Sequence, residues 1–176
     1  MNVLVAYTSR LGSTKAIAER LVVRLKTNDI QATGHDLQVP IDPSPYNAFV
    51  IGSAVYAGHW MDGASQFARD HATVLSRWPV WLFSSGPLGR PDGSHSNLPA
   101  EIPGLETALR ANDHRVFAGS FTRDAIDGAG FGVGERFIAR RFVPQGDFRD
   151  WAEIDAWADE IAHTLAGRIS DQVYAR

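Results

Sequence analysis

The chain has 176 residues, of which 44% are hydrophobic and 21% charged; that is enough apolar material for a substantial core, and it excludes global disorder. Seventeen Lys and Arg against twenty Asp and Glu leave a net charge of −3, which argues against a dedicated nucleic-acid binder. The absence of cysteine excludes a disulfide scaffold, a thiolate zinc site, a cysteine nucleophile and a cysteine-ligated iron–sulfur cluster. No basic segment precedes the first apolar run, and the longest mostly apolar stretch, 48–58, is too short to span a bilayer. A cytoplasmic protein folded as one domain over 1–176 is therefore expected.

Val3-Leu4-Val5-Ala6-Tyr7 opens the chain as a short strand buried on both faces. A polar turn, Thr8-Ser9-Arg10-Leu11-Gly12-Ser13-Thr14, leads into a helix marked by Ile17, Ala18, Leu21, Val22 and Leu25. A weaker strand is expected over 30–37. After Pro40, Pro43 and Pro45, Ala48-Phe49-Val50-Ile51-Gly52 reads as a second buried strand. The following helix takes Asp62 as its N-cap and turns Ala64, Phe67, Ala68 and Leu75 inward. Val80-Trp81-Leu82-Phe83 is a third buried strand, followed by a loop rich in Gly, Pro and Ser. A short helix is expected over 105–111 and a last strand at Val116-Phe117-Ala118-Gly119. The final helix has the clearest pattern. Asp150 caps it, Glu153 completes a capping box, and Trp151, Ile154, Trp157, Ile161 and Leu165 mark one face. Trp151, Trp157 and Phe67 are expected in the core.

Alternating strands and helices predict an α/β protein, doubly wound around a mostly parallel sheet with helices on both faces. Ligands of such folds bind beyond the carboxyl ends of the strands. The loops after Tyr7, Gly52 and Phe83 are therefore the places to look for function. The first carries four hydroxyl residues and Gly12 around a helix N-terminus, where unpaired N–H groups attract anions. An anion cradle and an ordinary helix cap both fit that pattern. No G-x-x-x-x-G-K-[ST], G-x-G-x-x-G after the first strand, or G-x-S-x-G is present. The acidic residues of a receiver domain are also missing: Tyr7-Thr8 and Ser53-Ala54 stand in their places. The glycines at 128, 130, 132 and 134 read as a late, flexible loop.

The run Val5-Ala6-Tyr7-Thr8-Ser9-Arg10-Leu11-Gly12-Ser13-Thr14 resembles the phosphate loop of the flavodoxin-like family, with its hydroxyl-x-x-Gly-x-Thr pattern after strand one. Ile51-Gly52-Ser53-Ala54-Val55-Tyr56-Ala57-Gly58-His59-Trp60 resembles that family's second flavin loop. Within the family, Gly58-His59-Trp60, Phe67 and Asp150-Trp151 are similar to the menaquinone-dependent protoporphyrinogen dehydrogenases of haem synthesis. The pair Tyr56-Ala57 stands where that subfamily has a basic residue and an aromatic, and the segment 128–149 is shorter than its basic insert.

The resemblance implies a flavodoxin-like five-stranded parallel sheet in the order 2-1-3-4-5. It implies FMN as cofactor and no metal. Ser9, Arg10, Gly12, Ser13 and Thr14 would hold the phosphate, with Thr8 and Leu11 completing their loop. Ser53, Ala54, Val55, Tyr56, Ala57 and Gly58 would line one side of the isoalloxazine, and Ser84, Ser85, Gly86, Pro87, Leu88 and Gly89 the other. Gly58 would let the backbone adjust near N5. The implied activity is an FMN-dependent oxidoreductase, protoporphyrinogen dehydrogenase-like, with a quinone or another acceptor. The alternative is an electron carrier shuttling between partner proteins, although such carriers are often more acidic than −3. A flavin-free binding module is opposed by the intact first loop.

Other residues keep two readings. Tyr56 and Trp60 can stack on a flavin or pack, with the position of Tyr56 favouring the site. His59 can donate to flavin or substrate, or sit at the surface. Arg10 can pair with a phosphate or remain solvated. The segment 134–142 mixes arginines with apolar residues. It reads as a packed helix with solvated arginines, or as a surface for an acidic substrate, a partner or a peripheral membrane contact.

Overall fold

The structure, a computed structural model, describes residues 1–86, 98–122 and 145–174. Five strands form the parallel sheet: β1 (Asn2–Thr8), β2 (Gln31–Asp36), β3 (Ala48–Tyr56), β5 (Val80–Gly86) and β6 (Asp113–Ala118). Their order is β2-β1-β3-β5-β6. Counting parallel strands alone, this is the expected 2-1-3-4-5. The extra strand is β4 (His59–Trp60), which folds back antiparallel onto β3. A further two-stranded ribbon joins β7 (Ser120–Phe121) to β8 (Gly146–Asp147).

The period-two alternation of the strands divides the core into two layers. Val3, Val5, Val50, Trp81, Phe83 and Phe117 face α1 (Ser13–Thr27) and α5 (Trp151–Tyr174). Leu4, Ala6, Phe49, Ile51, Val80 and Leu82 face α2 (Asp62–Asp70), α3 (Ala72–Leu75) and α4 (Ile102–Leu109). Strands buried on both faces read as unbroken apolar runs, which is why they stand out in the sequence. Helix α5 buries Ile154, Trp157, Ile161 and Leu165, each worth roughly 1.5–3 kcal/mol of transfer free energy. Arg20 and Arg24 on α1 fork onto Asp155 and Asp159 on α5, with Nε–Oδ1 distances of 2.6 and 2.7 Å.

The structure corrects several local expectations. Asp62 is the first residue of α2 rather than its cap. Met61 occupies the cap position in extended backbone, and the exposed Asp62 carboxylate sits in the first turn, where the helix dipole favours it. The expected single helix past Asp62 breaks at His71, whose φ is −105°. Helix α4 begins and ends earlier than 105–111. Trp151 is not core: it is 36% exposed, at the start of α5, with the Arg149 guanidinium 4.6 Å from its ring centroid. Asp150 does cap α5, its Oδ1 accepting from the N–H groups of Ala152 (2.9 Å) and Glu153 (3.1 Å). The segment 134–142, residues 128–144 of the segment 128–149, and the three loop residues Pro87, Leu88 and Gly89 lie outside the described residues. No helix among the described residues is long and apolar enough to cross a membrane.

Candidate functional site

At the carboxyl edge of the sheet, Thr8, Ser53 and Ser84 lie in register on β1, β3 and β5. They continue the apolar α2-side layer as a row of buried hydroxyls. Ser53 Oγ donates to the carbonyl of Ala54 (2.8 Å) and accepts from the N–H of Met61 (2.9 Å). Its single proton is thereby used, so in the 2.9 Å contact with Thr8 the Thr8 hydroxyl is the donor. Ser84 Oγ accepts from the Trp60 indole Nε1–H (2.8 Å) and lies 2.9 Å from Nε2 of the buried His114. Trp60 is 3% exposed, which settles its role as packing, with its polar tip satisfied.

The first loop runs from β1 into α1 through Gly12, which takes the left-handed conformation at φ 82°. The N–H groups of Ser13, Thr14 and Lys15 have no carbonyl within the helix to bond. Three hydroxyls surround them. Ser9 Oγ accepts from the Gly12 N–H (3.1 Å), and Ser13 Oγ accepts from the Ser120 N–H (2.8 Å). Thr14 is only 1% exposed. Among the described residues none of these three hydroxyl protons has an acceptor. A cluster of N–H and O–H donors with no acceptor of its own is the arrangement a phosphate group requires.

The second loop is a two-residue hairpin between β3 and β4. Tyr56 pairs with His59, and Ala57 (φ 49°) and Gly58 (φ 80°) make the turn. Positive φ at both positions is the signature of a type I′ turn, which matches the twist of paired strands. Gly58 adopts it freely, whereas Ala57 does so at a cost of about 1 kcal/mol. The hairpin does not stand alone. The Gly58 carbonyl accepts from the Ala100 N–H (3.1 Å). Glu101 Oε1 lies 2.7 Å from His59 Nδ1, and its Oε2 accepts from the Trp60 N–H at 3.3 Å. Burial pushes the Glu101 carboxyl up, but the hydrogen bonds from His59, its own N–H and Trp60 outweigh it and hold the group below its ordinary value. As an ionised acceptor it fixes the His59 proton on Nδ1.

Arg10 joins the first two loops, its guanidinium carbon 5.9 Å from the Tyr56 ring centroid. Burial raises the Tyr56 phenol and Arg10 partly offsets that. Tyr56 is half-buried, Ala57, Gly58 and His59 are exposed, and Val55 packs on the α2-side core. Ala54, Ser85 and Gly86 continue the edge toward the third loop. The structure therefore gathers the described candidates, 8–14, 53–58 and 84–86, along one edge.

The sequence alone does not flag several residues found beside them. The Gly119 N–H donates to the Gly86 carbonyl (2.7 Å), and Ser120 reaches Ser13. A Cβ on Gly119 would lie 2.9 Å from that carbonyl. Ala100 and Glu101 buttress the hairpin, and His114 backs Ser84. Among the described residues no cluster of His, Asp or Glu is arranged to hold a metal ion.

The family model described as the flavodoxin domain matches residues 4–141. The chain is 25% identical to the protoporphyrinogen IX dehydrogenase [quinone] of Escherichia coli K12, over 93% of this chain and 96% of that one. In three dimensions it is similar to a flavodoxin from the domain Archaea, with a TM-score of 0.63 and 14% identity over 94% of this chain and 99% of that one. It is also similar to a flavoprotein in complex with FMN from Lactobacillus acidophilus, with a TM-score of 0.50 and 17% identity over 65% of this chain and 92% of that one.

Proposed function

The chain belongs to the flavodoxin domain family, and on that premise we propose that it binds FMN and is an oxidoreductase that passes electrons from a porphyrinogen-like substrate to a quinone. The observation that carries the reading is the donor cluster at the start of α1: left-handed Gly12, with helix N–H groups and the Ser9, Ser13 and Thr14 hydroxyls that have no acceptor among the described residues. The similarity to the Escherichia coli dehydrogenase supports the choice of substrate and acceptor. FMN, when bound, supplies the redox chemistry, accepting and releasing electrons at its ring system.

The chain's own groups hold and orient. Residues 9–14 take the phosphate through backbone N–H groups and hydroxyls, and Arg10 adds charge at the rim. The Thr8 and Ser53 hydroxyls are committed to each other, so they shape the floor rather than donate to the ligand. Tyr56, Ala57 and Gly58 form one wall. Ser84, Ser85 and Gly86 form the other. His59 serves the hairpin through Glu101, and no side-chain nucleophile is called for.

A visible absorption spectrum of the purified protein, before and after FMN is added, tests the cofactor. A co-purifying flavin spectrum, or a shifted spectrum with quenched fluorescence on titration, is the expected result. FMN left spectrally unchanged by excess protein overturns the proposal. Turnover of protoporphyrinogen with a menaquinone analogue then tests the reaction. Reduction by a flavodoxin reductase with onward transfer to an acceptor protein, and no porphyrinogen turnover, would replace the enzyme with an electron carrier.

A further inference from the structure

We propose that Glu101 is a positioning residue of the cofactor site, clamping the 56–60 hairpin to the segment that follows the third loop and so setting how readily bound FMN is reduced. The proposal rests on the FMN reading above.

Three hydrogen bonds cross from residues 100–101 to residues 58–60: Ala100 N–H to the Gly58 carbonyl, and the two Glu101 carboxylate oxygens to the His59 imidazole and the Trp60 N–H. The hairpin they hold contains a strained Ala57 and a left-handed Gly58. A turn of that kind persists only where its surroundings over-determine it. The other end of the hairpin is fixed independently by the Trp60 indole on Ser84. Glu101 also precedes α4 directly, where a carboxylate is favoured by the helix dipole.

The consequence is mechanical. The hairpin and residues 100–101 are joined by three hydrogen bonds, two of them on one carboxylate, so the Gly58 peptide cannot reorient beside the ligand without loading the clamp. Any redox-linked change in the groups that face the flavin ring at residues 57–58 is therefore opposed or favoured by Glu101. Such a residue differs from one that merely stabilises the fold, because it acts on the difference between oxidised and reduced FMN affinity.

The test uses the full chain with Glu101→Ala and Glu101→Gln, and FMN as the probe. In flavin-free protein, backbone amide exchange at Trp60 is expected to rise roughly tenfold in Glu101→Ala, with β1, β3 and β5 amides unchanged. The ratio of reduced to oxidised FMN affinity, from the midpoint potentials of free and bound FMN, is expected to change by about fivefold. Glu101→Gln keeps an acceptor oxygen and should fall between the two. Unchanged Trp60 exchange in Glu101→Ala overturns the clamp. Lost protection with an unchanged affinity ratio overturns the positioning role. Failure of the wild type to bind FMN is seen before any variant is compared; it overturns the cofactor reading and the positioning role together, while the exchange result still decides whether the clamp exists.

Discussion

A Cβ built on Gly52 would lie 2.0 Å from Cζ of Phe83, a fully buried ring in the middle of the α1-side layer. Phe83 cannot retreat, because the rings of Phe117 and Trp157 stand edge-on or tilted at 6.1 and 6.2 Å from it. Gly52→Ala should therefore cost roughly 1–3 kcal/mol by overpacking, read as a lower urea midpoint with an unchanged denaturant slope. Thr14 makes the opposite case. Its hydroxyl is buried without an acceptor among the described residues, so Thr14→Val keeps the shape and removes an unsatisfied group. The flavin-free protein should be as stable as wild type, or about 1 kcal/mol more so, while FMN affinity falls about tenfold as one phosphate donor is lost. Equal losses in stability and affinity would show Thr14 to be an ordinary helix residue. Gly58→Ala places a second L-residue in the left-handed region beside Ala57. It should destabilise the hairpin by about 1 kcal/mol and shift the potentials of bound FMN; a spectroelectrochemical titration identical to wild type would count against any part for residue 58 in the redox step.

Where elements meet, the contacts that matter are polar groups at the ends of apolar seams. Asp113 opens β6 and accepts from the Arg115 Nε–H (2.8 Å) and from the indole Nε1–H of Trp157 on α5 (2.9 Å). Burial pushes this carboxyl up, but those two hydrogen bonds win and hold it below its ordinary value. A depressed folded value means stability that is present above the ordinary aspartate value and lost as the pH falls through the lowered one. Asp113→Asn should therefore lower stability by about 1 kcal/mol or less at neutral pH, since the group is partly solvated. The gap to wild type should close as acid is added, in urea melts run from pH 7 to 3. Strands and helices were legible because their apolar periods survive in a single sequence: β1, β3 and β5 as continuous runs, α1 and α5 as stripes. Their ends were less so. The cap of α2 is Met61, no capping type at all; its own N–H is held by the Ser53 hydroxyl on β3, a contact across the fold that the local sequence does not signal. Trp151 has the spacing of a core residue yet, as the first residue of α5, is left exposed. Periodicity reports direction around a helix and says nothing of where along it the neighbouring layer stops.

Across the whole molecule, the candidate site draws on three strand ends and on the segments near residues 100 and 120. A ligand that binds this arrangement and not the unfolded chain stabilises it by mass action. At a hundredfold excess over its dissociation constant FMN should add about 2.7 kcal/mol, seen as a concentration-dependent rise in thermal midpoint. Riboflavin, which lacks the phosphate, should give a smaller rise at equal concentration; an equal rise would mean that the donor cluster at α1 makes no contribution to binding. The loops after β1, β3 and β5 could be found from sequence because glycine and hydroxyl residues gather there and the fold class points to carboxyl ends. Glu101, His114, Gly119 and Ser120 could not, since each earns its place through a contact across the fold with no local pattern behind it.

The hydrogen bond from Ser120 to Ser13 spans 107 positions of the chain. The donor cluster is encoded in the first fifteen residues, yet one of its hydroxyls is oriented by the exit of the outermost parallel strand. During synthesis the loop after β1 leaves the ribosome early and stays incomplete until nearly the whole sheet has been made. On the proposed reading of the site, cofactor capture is thus a late event in the life of a nascent chain, and chains that stop short of residue 120 have no finished cradle in which to keep one.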